Sequence, residues 1–281
     1  MKRKWFSPLL CGMISVFTVW MACASLNKLV SPPSVKVDAV KIASLSFDDI
    51  TLNFDLNIAN PNPFGVQLNG YDYSIAIAGQ NFLTGQESRV INIAGSGASL
   101  VAIPLTINFQ KLYSLIQSTQ ALDSLSYQLQ GHLQPGGLLA GFNIPFSTKG
   151  SFPNVRIPKV AFKGLKMGKM SLTGVDLELA LGLDNNNIFG FDVGKLDYQI
   201  DLAGTQVAKG ITQNLASIPA KSSGEIRLPI SLNFMGLTSS LRNVLTGQSV
   251  EVGIVGETGL RTPFGELSLP LNTRQTLQIL R

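Results

Sequence analysis

Few side chains in this chain could do chemistry. Its 281 residues hold one histidine, His132, and two cysteines, Cys11 and Cys23. A lone histidine in a turn reads as solvated, not as a catalytic base. No His, Cys, Asp and Glu group has metal-ligand spacing. The turn Gly95, Ser96, Gly97 has neither the strand–loop–helix setting nor the lysine of a phosphate loop. Asp72 and Asp197 recur before a repeated tyrosine, but they belong to different halves, and paired carboxylate chemistry needs both in one pocket. Asp48 and Asp49 are replaced in the second half by Thr173 and Gly174, which removes any shared acidic or calcium site. No catalytic residue, cofactor or metal site is therefore expected, and the chain reads as a non-enzyme.

The one residue set up for covalent modification is Cys23. Met1 to Lys4 is a basic start, and Leu9 to Ala22 is an apolar run of signal-peptide length, short for a bilayer span. It ends Trp20, Met21, Ala22, Cys23. A small residue directly before a cysteine at this place resembles the lipobox of bacterial lipoproteins. That resemblance implies removal of residues 1–22 and acylation of Cys23. A plain secretory signal and an uncleaved anchor are the alternatives. Residues 23–33, with Pro32 and Pro33, read as a tether. Ala24 is not the Asp that resembles an inner-membrane retention signal, so the expected location is the periplasmic face of the outer membrane in a bacterial envelope. Several acyl chains, at ~0.8 kcal/mol per buried CH₂, would anchor it firmly.

Bulk composition excludes other classes. Charged residues make up 14% and hydrophobic ones 45%, with 27 Gly and 14 Pro. The chain is too apolar to be disordered and rich in turn formers. Three of its 22 basic residues are Lys2, Arg3 and Lys4, which leaves 19 against 17 acidic in the mature chain. That balance gives no electrostatic case for nucleic acid. With Cys23 the only cysteine after residue 22, no internal disulfide can form.

The elements that must position everything else are strands. Ile50, Leu52, Phe54, Leu56 and Ile58 alternate with polar neighbours, as a half-buried strand requires. Asn60, Pro61, Asn62 and Pro63 then stop the strand, since proline has no N–H for a ladder and asparagine bonds its own backbone. Further strands are expected at 35–42, 71–77, 90–93, 101–109, 125–129 and 142–146. Leu112, Leu115, Ile116, Thr119 and Leu122 have helical spacing. Phe142, Phe146, Phe264, Leu138 and Leu139 are expected in the core, with an apolar groove as the alternative.

The pattern then repeats. Val175 to Leu183 alternates like residues 50–58 and ends in Asn185, Asn186, Asn187, Ile188, Phe189. Val155 to Phe162 answers the first strand at an offset of 120. Five extra residues near 163–170 shift the offset to 125, which holds from there on. Tyr73 matches Tyr198, Gly79 matches Gly204, Gly85 matches Gly210, Pro104 matches Pro229, and the helix recurs through Leu237, Leu241, Val244 and Leu245. A period above a hundred residues means two whole domains. The expected fold is all-β: two tandem antiparallel sandwiches of immunoglobulin or fibronectin III type, at 34–150 and 151–281, each with one short helix.

Asn60, Pro61, Asn62, Pro63 and Phe64, followed by Tyr73, Gly79, Gly85 and Pro104, resemble the late embryogenesis abundant type 2 family, also called the WHy domain. Asn185, Asn187 and Phe189 carry the second copy. The resemblance implies a sandwich with one helix, association with desiccation or other stress, protection of client proteins, and no catalytic set. The expected role is a non-enzymatic envelope lipoprotein whose partners are the membrane, through the anchor, and client proteins. A lipid or apolar-ligand carrier is the alternative.

Overall fold

The computed structural model describes residues 30–236 and 247–280. The leader, Cys23 and the second helix (Leu237, Leu241, Val244, Leu245) lie outside the described residues. The first repeat runs β1 (Ser34–Leu45), β2 (Asp49–Ala59), β3 (Val66–Ile77), β4 (Gln80–Glu87), β5 (Ile91–Ile93), β6 (Ala98–Asn108), α1 (Phe109–Leu115), β7 (Ser124–Pro135) and β8 (Ile144–Pro153). The second runs β9 (Lys159–Met170), β10 (Gly174–Asn185), β11 (Phe191–Leu202), β12 (Thr205–Ile218), β13 (Ser222–Asn233), β14 (Ser249–Thr262) and β15 (Gly265–Leu280).

The fold is all-β, and alternation dictates its core. Ile50, Leu52, Phe54, Leu56 and Ile58 on β2 are each at most 2% exposed, as are Val175, Leu177, Leu179, Leu181 and Leu183 on β10. Each such side chain contributes about 1.5–3 kcal/mol on burial. Register keeps these residues together: Leu177, Leu179 and Leu181 face Ile230, Leu228 and Ile226 of β13. The first repeat forms the sheets β1-β2-β6 and β4-β3-β7-β8, with β5 added on β3. Phe54 meets Tyr127 edge-on at 5.5 Å, from β2 to β7. In the second repeat the same two sheets, β9-β10-β13 and β12-β11-β14-β15, join into one of seven strands. The join is a short parallel pairing, Ile279 with Leu165 and Leu280 with Lys166.

Contacts divide the chain into two compact units. One takes the residues up to Lys41, Asn53–Ile103 and Ser126–Gly150; the other takes Ile42–Leu52, Pro104–Leu125 and everything from Ser151. The division crosses the sequence repeat, because residues 104–125 are held by side chains that follow residue 151, as described below.

Three local expectations are corrected. The offset is 125 from the start: β1 at 34–45 answers β9 at 159–170, with no insertion. Val155 and Ile157 precede β9. These two strands are mostly exposed or half-buried, so their side-chain pattern carried too little contrast to fix a register. The helix is shorter than its spacing suggested. α1 ends at Leu115, Ile116 leaves helical geometry, and a 3₁₀ turn follows at Gln117–Ala121. Leu112, Ile116 and Thr119 are buried, whereas Leu115 and Leu122 are 59% and 43% exposed. His132 lies within β7, not in a turn.

Two hairpins show how turn chemistry sets the strands. β3–β4 and β11–β12 close through Ala78-Gly79 and Ala203-Gly204, with φ of 50°, 79°, 48° and 77°. Both central residues are left-handed, the type I′ geometry that matches strand twist. Asparagine or glycine suits the first position; alanine there is strained. Ala78→Asn is therefore expected to stabilise the fold by about 0.5–1 kcal/mol, read as a raised urea midpoint at unchanged m-value. A lowered midpoint would refute the turn assignment.

Candidate functional site

The family-motif asparagines are buried inside their turns. Asn60 and Asn62 are 2% and 3% exposed, Asn185 and Asn187 are 2% and 1%. Asn60 Nδ2 donates to the carbonyls of Phe64 (2.8 Å) and Ala94 (3.1 Å). Its Oδ1 accepts from Asn62 N–H (3.1 Å) and Asn62 Nδ2 (2.9 Å). Asn62 then holds Ser31 from both sides, donating to its carbonyl at 2.7 Å and accepting from its N–H at 2.9 Å. Asn60 thus uses all its side-chain hydrogen-bonding capacity. An aspartate in its place would supply no donor.

The second copy repeats this bond for bond. Asn185 Nδ2 donates to the carbonyls of Phe189 (2.8 Å) and Pro219 (2.9 Å). Its Oδ1 accepts from Asn187 N–H and Nδ2, both at 3.0 Å. Asn187 brackets Arg156 as Asn62 brackets Ser31, at 2.8 and 2.7 Å. The left-handed Ser96 and Lys221 (φ 51° and 52°) donate their N–H to the carbonyls of Asn62 and Asn187. No bond in either bracket uses the N–H of residue 61 or 63, so Pro61 and Pro63 fit the first copy and Asn186 and Ile188 the second. All four are exposed. Phe189 is 6% exposed and meets Phe264 edge-on at 5.3 Å; Phe64 is half-buried.

The second turn carries an ion cluster the sequence reading missed. Asp123 Oδ1 accepts from Lys221 Nζ (2.5 Å) and Arg156 Nη1 (2.6 Å). Both cations also donate to the carbonyl of Asn186, each at 3.0 Å. Arg156 Nη2 donates to the carbonyls of Gln120 (3.2 Å) and Leu122 (2.8 Å). Asn154, fully buried, donates to Thr119 and Leu122 carbonyls and accepts from the Tyr113 hydroxyl. Bonds from Lys221, then Arg156, hold the Asp123 carboxyl below the usual carboxylate range. Burial pushes the Tyr113 phenol up, with Arg156 opposing. The available signal was a difference between copies: Arg156 and Lys221 stand where the first repeat has Ser31 and Ser96, and Asp123 answers Gln248.

Other candidates disperse. Asp72 pairs with His132 at 3.0 Å, both about half exposed, in a concavity of ≈ 970 Å³ that also takes in Tyr73, Gly85, Gln130 and Gly131. Its counterpart, ≈ 740 Å³, presents Lys195, Asp197, Glu257 and Glu266. Tyr73 lies across Gly85, where any Cβ would strike its ring. Among the described residues no group of three or more His, Cys, Asp or Glu could hold a metal. Phe146 and Leu139 are buried at 4% and 1%, Leu138 is 79% exposed, and Phe264 packs on Phe189. Among the described residues no helix is long and apolar enough to cross a membrane.

A family model described as late embryogenesis abundant protein matches residues 55–150 and again 180–275, the same offset of 125. No curated protein matches the sequence. Among solved structures, a protein from Archaeoglobus fulgidus is similar over 44% of this chain and 98% of its own, at 14% identity and a TM-score of 0.36. Red sea bream transglutaminase is similar over 90% of this chain and 32% of its own (9% identity, TM-score 0.28). A calcium-binding mutant of Bacteroides uniformis β-glucuronidase 2 is similar over 85% and 28% (12% identity, TM-score 0.26). The chain spans about a third of the length of these last two.

Two predictions follow from the brackets and the cluster. Asn185→Ala strips partners from two carbonyls and two N–H groups and is expected to cost roughly 2–4 kcal/mol, while exposed Asn186→Ala changes stability by less than about 0.5 kcal/mol; equal effects in urea unfolding would refute the bracket. Asp123 has a lowered folded pKa, so its contribution is present above the unfolded value of about 3.9 and fades as pH falls through the folded one. The midpoint gap between wild type and Asp123→Asn should hold above about pH 5 and close below about pH 3.9. A gap that persists at pH 2 would show that the carboxylate charge is not what binds the two cations.

Proposed function

The chain belongs to the late embryogenesis abundant family, and from that membership we propose a non-enzymatic protein that protects client proteins under stress, held by acylated Cys23 to the outer membrane of a bacterial envelope. Two tandem domains of a stress-associated, generally non-catalytic family support this. One observation carries it. The copies keep the buried asparagine bracket bond for bond, yet their exposed concavities share only one charged position, Asp72 and Asp197: His132 stands by the first, Glu257 and Glu266 by the second. A surface making many weak client contacts tolerates such drift, whereas a catalytic site fixes its groups. The strand faces put polar residues outward around rigid cores, so they can separate partly unfolded chains without unfolding themselves. The carrier reading finds no favouring observation among the described residues, since Phe146 and Leu139 are spent in the core, Phe264 packs on Phe189 and Leu138 is exposed.

The test pairs two arms. Wild type should sediment with membranes and carry acyl mass on Cys23, and Cys23→Ser should lose that mass. The form lacking residues 1–23 should preserve the activity of a drying-sensitive enzyme at equimolar amounts. Absence of acyl mass sinks the anchor; no protection beyond that of an equal mass of albumin sinks the client role.

A further inference from the structure

Among the described residues six strands end a sheet: β1, β4, β6, β8, β12 and β13. Each presents a row of backbone N–H and carbonyl groups that a further strand could pair with. Five carry a device that discourages this. β6, β8 and β13 contain Pro104, Pro145 and Pro229. β1 carries Lys36, Asp38 and Lys41. β4 is only 8 residues long and closes on Glu87. β12 is 14 residues long, has no proline and holds one charged side chain, Lys209.

Register shifts on either side leave one regular run in β12, residues 208–213, opposite residues 195–200 of β11. Ala208, Gly210 and Thr212 form its half-buried side, with Gly210 against the Tyr198 ring. Lys209, Ile211 and Gln213 face outward, and Ile211 is 59% exposed. Their partners on β11 are Gln199, Asp197 and Lys195. The first repeat has Thr84, Gln86 and Ser88 at the three outward positions, so the apolar one belongs to the second repeat alone.

A free backbone row bonds any extended chain; the side chains about Ile211 select which. They read alike in both directions: Gly210 and Thr212 are small, Lys209 and Gln213 long and polar. Two β12 strands paired antiparallel about a two-fold axis at Ile211 set isoleucine on isoleucine, Lys209 on Gln213 and Gly210 on Thr212. Both isoleucines leave water, and each lysine meets an amide rather than a like charge. Moving the axis by one residue sets isoleucine against Lys209 or Gln213. Moving it by two sets the lysines on each other or carries the partner of Ile211 outside the regular run.

We infer that the chain pairs with a second molecule of itself through β12, antiparallel about Ile211, so that two seven-stranded sheets continue into one another. A run this short buries less than a standard interface, so the dimer is weak and depends on concentration. The contact needs neither client protection nor acylation of Cys23, and each can fail alone.

The test uses the full chain with Cys11→Ser and Cys23→Ser in mild detergent, with single cysteines introduced and oxidised. Facing residues of antiparallel strands have Cβ atoms about 4.5–5.5 Å apart, near enough for a disulfide. Ile211→Cys should therefore give a linked dimer on a non-reducing gel. Lys209→Cys mixed with Gln213→Cys should link more than either alone. Gln206→Cys, roughly 33 Å from its own mate along the seam, and Gln86→Cys, on the first repeat's edge, should stay monomeric. Without cysteines, sedimentation equilibrium should show a dimer whose dissociation constant rises at least about tenfold in Ile211→Gln, at an unchanged urea midpoint. A monomer at every concentration up to about 1 mM overturns the inference. So does equal linking at 206 and 211, which marks random collision, or an unchanged constant in Ile211→Gln. A partly unfolded protein that shields the thiol at 211 while the chain stays monomeric overturns it in favour of a client strand.

Discussion

A buried asparagine that satisfies itself against three backbone groups and one neighbouring side-chain amide is the constraint on which each domain depends. Strand β2 ends under the core, and the chain must turn there without leaving carbonyls and amides unpaired in a dry place. Asn60 supplies two donors and two acceptor sites in the fixed geometry of an amide, and Asn62 extends the grip to Ser31. The turn, the loop at residues 94–97 and the segment entering β1 are thereby locked together. Neither serine nor aspartate offers that combination of donors and acceptors. The second domain repeats the solution at Asn185 and Asn187.

With the backbone fixed this way, the exposed positions between the asparagines were free to diverge. The first copy places Pro61 and Pro63 there, which stiffen the turn. The second places Asn186 and Ile188, and adds Arg156 and Lys221 at positions that are serine in the first. These cations share Asp123 and converge on one backbone carbonyl, Asn186. The same division of labour appears at β4 and β12, where the pairing is common and the outward side chains differ in polarity. Duplication thus kept the internal hydrogen bonds and varied the surface.

Much of this was legible in the residues. Alternation in 50–58 and 175–183 gave the two central strands, because a half-buried strand needs an apolar residue at every second position. The Asn-rich turns and Phe64 and Phe189 marked both copies and the family, and the family match covers the same two stretches. What misled was weak contrast. β1 and β9 bury little, so their side chains did not fix an offset, and the helix-like spacing through Leu122 continued beyond the point where Ile116 leaves helical geometry. His132 follows Gly131 and precedes Gly136 and Gly137, a stretch that looked like a turn. Gly131 lies within β7, where a Cβ would strike the Asp72 backbone and Phe146.

The sequence by itself determined the strand cores, the turn that ends β2 and its duplicate, since each is encoded by residues within a few positions of one another. Only the tertiary structure decided that the asparagines bracket Ser31 and Arg156, and that Asp123 meets Lys221 across 98 positions. Those contacts join segments far apart in the chain. No local period records which distant partner a buried amide or an exposed cation will face, and backbone register, once formed, sets both.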